Sequence, residues 1–326
     1  MVGTLTLKHC LIMKKYFLIG LLSFLGCALF FTSCNKDEDE KNTSETPTEQ
    51  ETVFVSTEPQ NCNVLIEELT GWGCQYCPDG HKRCDSLSQI YYPGKVFSIN
   101  VHTGSYAEGR NPDYTTDEGY TLLRTLGAKG FPCGYINRIS WRTSSSSPAT
   151  FYLNRGYFKP CAEQIMNNNS AIANVAAKAT LDKSTRELKV TTQVCFTSAP
   201  KDTTVPFIMN VALVQNNIKG PQVGAATWYP ERWDGTNYTH NHMLRAYITG
   251  LKGDFIEYKG VGKDNVVKKT YTYVIPENMG RGNIPAVLED MEVICFVAQK
   301  GTSTSNPEEY FPIGIINVCK SEMSYK

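Results

Sequence analysis

Apolar runs alternate with amphipathic stretches up to about residue 169, and with turns alone beyond it. Val64-Leu65-Ile66-Glu67-Glu68-Leu69 is a short apolar run carrying two acids and closed by Thr70-Gly71, the pattern of a buried strand. Pro78 suits a first helical turn, where no backbone N–H is needed, and Asp79 suits the positive end of the helix dipole. Together they predict a helix over 78–91. Residues 95–101 read as a second strand. Thr116-Asp117 opens a second helix that runs to Leu126, and Gly130-Phe131-Pro132 leads into a short strand at 134–137. The order is β-α-β-α-β, followed by a Ser-rich loop at 143–147 and a helix over 149–168.

The Asn167-Asn168-Asn169 run ends this pattern. Strands are then predicted at 171–181, 187–196, 206–214, 243–248, 267–274, 291–299 and 314–318, with no long helix between them. Seven such strands predict an all-β, immunoglobulin-like sandwich. The expected organisation is therefore an α/β domain over 61–169 and a β-sandwich domain over 170–326.

The start of the chain reads as an export signal rather than as part of the fold. Met13-Lys14-Lys15 is a basic lead, 16–31 is apolar, and Phe31-Thr32-Ser33 sets small residues before Cys34. This resembles the lipobox of bacterial lipoproteins, with Phe31 where the strict motif has Leu. The reading makes Met13 the working start, 1–33 the signal peptide and Cys34 the lipidated residue. Cys27 is a rival cleavage point inside the apolar run. An uncleaved anchor is the alternative, but 16–31 falls short of the roughly 20 residues a spanning helix needs. Residues 34–60, acidic at first and then rich in Thr, Ser, Glu and Pro, read as a flexible tether. A lysine followed by acids just after Cys34 resembles the surface-export signal of Bacteroidota lipoproteins. It places the protein on the outer face of the outer membrane, with a periplasm-facing anchor as the alternative.

Lys+Arg and Asp+Glu both number 32, so no global field attracts nucleic acid, and no nucleic-acid partner is expected. The 12 cysteines fit an oxidising compartment.

Cys74-Gln75-Tyr76-Cys77 carries the candidate chemistry. A Cys-x-x-Cys pair also occurs in zinc sites and structural disulfides, but here it falls between a buried strand and a helix N-terminus. Free N–H groups and the helix dipole there favour a thiolate at Cys74, with Cys77 one turn on to resolve a mixed disulfide. Strand, Trp72, cysteine pair, helix, strand, helix and Phe131-Pro132 together resemble thioredoxins. The resemblance implies a thioredoxin-like domain in which Pro132 is a cis-proline and, with Trp72, Phe131 and Cys133, contacts substrate. It also makes Glu68, six residues before Cys74, the buried proton acceptor of the resolving cysteine. The competing assignment has Glu68 facing solvent and Glu67 turned inward. Two departures are Gly73, where thioredoxins have tryptophan, and Cys133, a third thiol that either competes for the pair, locks it, or packs as a small apolar residue.

A broader resemblance spans nearly the whole chain. Glu67-Glu68-Leu69-Thr70-Gly71-Trp72, Cys74-x-x-Cys77-Pro78, Gly130-Phe131-Pro132, Gly134-Tyr135-Ile136-Asn137-Arg138 and 238–245 occur in this order. They resemble a family of Bacteroidota outer-membrane lipoproteins named for a 28-kilodalton protein. The resemblance implies a thioredoxin-like domain, a β-sandwich and a lipid anchor, and no settled activity.

His240-Asn241-His242 and the set Cys74, Cys77 and His81 each lack further metal ligands nearby in sequence, so no metal is expected, and no cofactor motif is present. Trp228, Tyr229, Trp233 and Tyr238 read as a hydrophobic cluster under a long loop rather than a binding face. Cys62, Cys84, Cys161, Cys195, Cys295 and Cys319 are even in number, but their pairing is not assigned. Two functions are carried forward. One is a thiol-disulfide oxidoreductase acting on protein thiols and disulfides; the other is a non-enzymatic surface protein that binds a ligand and keeps the pair as a structural disulfide.

Overall fold

The computed structural model describes residues 52–168, 170–302 and 310–326; the signal peptide, Cys34 and most of the tether lie outside them. Buried strand β1 (Val64–Thr70) runs into α1 (Cys77–Asp85), whose first turn holds Pro78 and whose end continues through a π turn, Ser86–Tyr91. β2 (Val96–His102) lies parallel to β1. α2 (Asp117–Leu126) starts where Thr116 Oγ1 accepts the Gly119 N–H at 3.0 Å, a side-chain cap that satisfies an otherwise orphaned donor.

β3 (Cys133–Ile136) pairs antiparallel with β1 and with β4 (Tyr152–Asn154), and α3 (Phe158–Asn168) follows. The helix expected over 149–168 therefore begins late. Its first residues pair with β3 instead, and Asn154 Oδ1 accepts the Gly156 N–H to turn the chain into the helix.

The remaining chain is mostly strand: β5 (Ala173–Asp182), β6 (Glu187–Phe196), β7 (Phe207–Gln215) and β8 (Ile218–Gly220) precede a short helix, α4 (Ala225–Trp228). Then come β9 (Tyr238–His240), β10 (Met243–Tyr247), β11 (Asp254–Ile256), β12 (Val267–Val274), β13 (Asn278–Met279), β14 (Ile284–Pro285), β15 (Met291–Thr302), β16 (Tyr310–Lys320) and β17 (Glu322–Tyr325).

Strands from both halves of the sequence join one sheet, ordered β16-β15-β7-β10-β2-β1-β3-β4, with β11 also on β7. The link is narrow: β10 meets β2 through Met243 and Asn100, while pairing antiparallel with β7 on its other edge. A second sheet, β12-β6-β5-β17, packs on the face of β7 and β15 that carries Met209, Val211, Leu213, Val293 and Cys295. The fold is thus a mixed α/β segment with an extensive β continuation, and residues 51–326 form one compact unit.

Because side chains alternate along a strand, β1 feeds two cores. Val64 and Ile66 pack with Cys84, Leu87, Phe158 and Ile165 from the α1 and α3 side. Leu65 and Leu69 pack with Leu122 of α2 and with Val214, Leu244 and Phe296. Before β1, the Phe54 and Val55 N–H groups donate to Gln193 Oε1, and Asn174 Nδ2 donates to the Ser56 and Glu58 carbonyls. The described end of the tether is thereby fastened along β5 and β6.

Candidate functional site

Cys74 and Cys77 form a disulfide with a Cα–Cα separation of 5.4 Å, between the end of β1 and the first turn of α1. The Phe131–Pro132 peptide is cis, and Pro132 comes up beneath α1. A Cβ placed on Gly80 would lie 3.0 Å from Pro132 Cβ and 2.0 Å from Glu68 Oε1, so glycine at this turn makes room for both.

Glu68 has no exposed surface, and neither carboxylate oxygen has a nitrogen or oxygen hydrogen-bond partner among the described residues. Burial, and after it the Asp85 carboxylate, pushes its pKa well above the ordinary range. The thiol against it is that of Cys84, whose own pKa is raised by burial and then by Glu68. Cys77 and Cys84 are seven residues apart, two turns along one face of α1, a spacing visible in the sequence. Cys133 points the other way, into the core around Leu65, Leu69 and Tyr135, and burial pushes its thiol up to about 12. It packs as a small apolar residue.

Glu67 is equally buried but paired. Arg138 Nε donates to its Oε2 at 2.7 Å and Arg138 Nη2 to its Oε1 at 2.6 Å, while the Tyr247 hydroxyl donates to Oε1. Both acids therefore point inward, on opposite faces of β1, and Glu68 does not face solvent. The Arg138 guanidinium also lies over the rings of Phe296 and Phe311, 5.0 and 5.1 Å from their centroids. Next to it, Asn137 accepts the Leu65 N–H and donates to the Asn63 and Ile315 carbonyls, tying β1 to β16.

The cysteine turn is roofed by the chain that follows β8. Gln222 Nε2 donates to the Cys74 carbonyl at 3.0 Å, and the Val223 N–H donates to the Trp72 carbonyl at 2.8 Å. A Cβ on Gly224, where φ is +77°, would meet the Gln75 carbonyl oxygen at 2.1 Å. Cys74 is left 2% exposed and Cys77 fully buried. Trp72 donates its indole N–H to the Pro112 carbonyl, and the Arg110 guanidinium stacks 4.9 Å from its ring centroid. That guanidinium occupies the space a side chain at Gly73 would take. Phe131 leans on Tyr106, with ring centroids 5.8 Å apart.

Below the roof lies a buried polar layer that sequence reasoning missed. One nitrogen of His81, a turn beyond Cys77, pairs with Thr70 Oγ1 and the other with the Tyr238 hydroxyl, both at 2.9 Å. His240 Nε2 donates to the Pro221 carbonyl, and its ring lies 5.2 Å from His102 and 4.9 Å from Tyr238. Burial lowers the pKa of all three imidazoles, that of His240 to about 3. Asp85 is held by Arg232 and by the Tyr229 hydroxyl. Trp228 packs edge-on against Tyr76, 5.4 Å between centroids. The aromatic loop thus does pack as a cluster, directly on the cysteine helix. No group of three or more His, Cys, Asp or Glu among the described residues is arranged to hold a metal ion.

A CxxC disulfide between strand and helix, on a mixed sheet with a long β continuation, defines a protein with a sheltered thiol-pair site. The family described as Outer membrane protein Omp28 matches residues 120–323. The chain belongs to this Omp28 family, and its place is the outer membrane. Among solved structures it is similar to HBP35 of Porphyromonas gingivalis, at 21% identity with a TM-score of 0.58, covering 82% of this chain and 76% of that one. That likeness concerns the fold alone. A domain of the outer membrane lipoprotein Omp28 from Porphyromonas gingivalis matches at 17% identity and a TM-score of 0.27, covering 48% of this chain and 91% of that one, too distant to bear on the fold. Comparison with curated proteins yields no match. No helix among the described residues is long and apolar enough to cross a membrane.

Proposed function

We propose that this outer-membrane protein is anchored by lipid at Cys34, faces outward, and exchanges thiols and disulfides at Cys74 and Cys77. In this reading 61–169 is a thioredoxin-like unit whose sheet is extended by strands of an immunoglobulin-like 170–326. The Cys74 thiolate attacks a substrate disulfide and releases one substrate thiolate. The Cys77 thiol gives its proton to Glu68, and its thiolate then displaces the second substrate sulfur from Cys74. One departing thiolate takes up the proton from Glu68 and the other a proton from water, so two substrate thiols and the Cys74–Cys77 disulfide result. Pro132, with Trp72 and Phe131, positions the extended substrate segment. Glu68 carries the reading: a buried carboxyl with no nitrogen or oxygen partner among the described residues costs stability, and such a group packed against α1 at Gly80, one turn from Cys77, is suited to accept a proton.

A second reading, a ligand-binding surface protein with a structural disulfide, is favoured by the roof of Gln222 to Gly224 over Cys74. The reduction potential of the pair, measured by thiol trapping in graded redox buffers, separates the two. A value between roughly −270 and −120 mV supports exchange, and one below about −300 mV supports the structural disulfide.

A further inference from the structure

Cys295 and Cys319 face each other directly across the antiparallel β15–β16 pair. Register partners on adjacent strands point to the same side, and both sulfurs belong to the core beneath the second sheet. Cys295 is fully buried there, and Cys319 packs at its margin, partly exposed. Directly opposed residues hold their Cβ atoms about 4.5–5.5 Å apart, within an ångström or so of the roughly 3.5–4.5 Å a disulfide spans. The structure holds them as free thiols, yet the outer membrane borders oxidising compartments where such neighbours pair.

We propose that Cys295 and Cys319 are a redox modification site, closed in the mature protein as a cross-strand disulfide between β15 and β16. The oxidant is an organic disulfide of the cell envelope. Cys319, the accessible partner, loses its proton and attacks one sulfur of the donor, and the departing thiolate takes up that proton. The Cys295 sulfur then attacks Cys319 Sγ, forming the cross-strand bond, and the second donor sulfur leaves with the Cys295 proton. Two protein thiols are oxidised and one donor disulfide becomes two thiols. Buried in the core, Cys295 cannot meet the donor first, which sets the order. Among the described residues no other thiol is opposed by a thiol across a strand pair: Cys195, on β6 of the second sheet, faces Asn174.

The test uses the full-length chain in intact cells, denatured in N-ethylmaleimide and digested without reductant for mass spectrometry. In most chains the expected result is a linked pair of peptides carrying Cys295 and Cys319, with neither labelled. In Cys319→Ser the label should appear on Cys295 while the Cys74–Cys77 peptide is unchanged. Label on both cysteines in most chains overturns the proposal. So does a small-thiol adduct on Cys319 with a labelled Cys295.

Discussion

Glu67 and Glu68 are neighbours on β1, neither has exposed surface, and they lie on opposite faces of one sheet in opposite electrostatic circumstances. Glu67 is clasped by Arg138 and Tyr247, whereas the Glu68 oxygens have no nitrogen or oxygen partner among the described residues and lie against the Cys84 thiol and Gly80 of α1. Strand alternation alone separates a structural acid from a candidate proton acceptor.

Glu68→Gln should therefore change the pH dependence of stability. The folded pKa of Glu68 lies above its unfolded value, so below about pH 4.5 both states are protonated and nothing is lost. As pH rises past that point the unfolded chain ionises first, and stability falls until the folded pKa is passed. The variant should be more stable than the parent at pH 7, with the gap closing near pH 4 in denaturant titrations. If Glu68 also serves exchange, the resolving step should slow by roughly 10²-fold.

Arg138→Leu should cost about 3–5 kcal/mol, because it strands the Glu67 charge in the core. Pairing it with Glu67→Met should restore most of that loss, since apolar groups there avoid the desolvation of two charges. Urea unfolding of the two variants checks both numbers, and a double variant no better than the single would sink the account.

Gly224→Ala should lift the roof from the cysteine turn, because its methyl group meets the Gln75 carbonyl and its φ is left-handed. A strain of about 1.4 kcal/mol corresponds to tenfold in an opening equilibrium. The Cys74–Cys77 bond should then be reduced by a small thiol about tenfold faster, while global stability falls by no more than about the same 1.4 kcal/mol. Gln222→Ala should act in the same direction, through the hydrogen bond it removes.

The buried histidines predict acid lability. Each has a folded pKa below its unfolded value near 6.5, so the unfolded chain takes up protons first and stability drops as pH falls below about 6.5. For His240 the loss continues to about pH 3. His240→Gln should flatten this part of the pH–stability curve; an unchanged slope would mean the layer is already open to water.

Local chemistry was legible in the sequence where it depends on neighbours in the chain. Thr116 reads as a cap and is one, and Pro78 opens its helix. Gly130-Phe131-Pro132 announced the turn before β3. What depends on distant partners was not legible. Tyr152 and Leu153 read as helix because nothing nearby declares their pairing with β3. Met243 to Tyr247 reads as a strand, but its place beside β2 rests on one register contact across 143 residues. His81 looked like an incomplete metal ligand because Tyr238, its partner, is 157 residues away.

The shared sheet also bears on how this protein can be cut. A fragment ending after α3 would bare the edge of β2 and remove Tyr247, Phe296 and Phe311 from around Arg138. An exposed strand edge beside an uncovered apolar face invites pairing between molecules. Severed at that point, the cysteine-bearing half should be sticky and poorly soluble, so its chemistry belongs to the uncut chain.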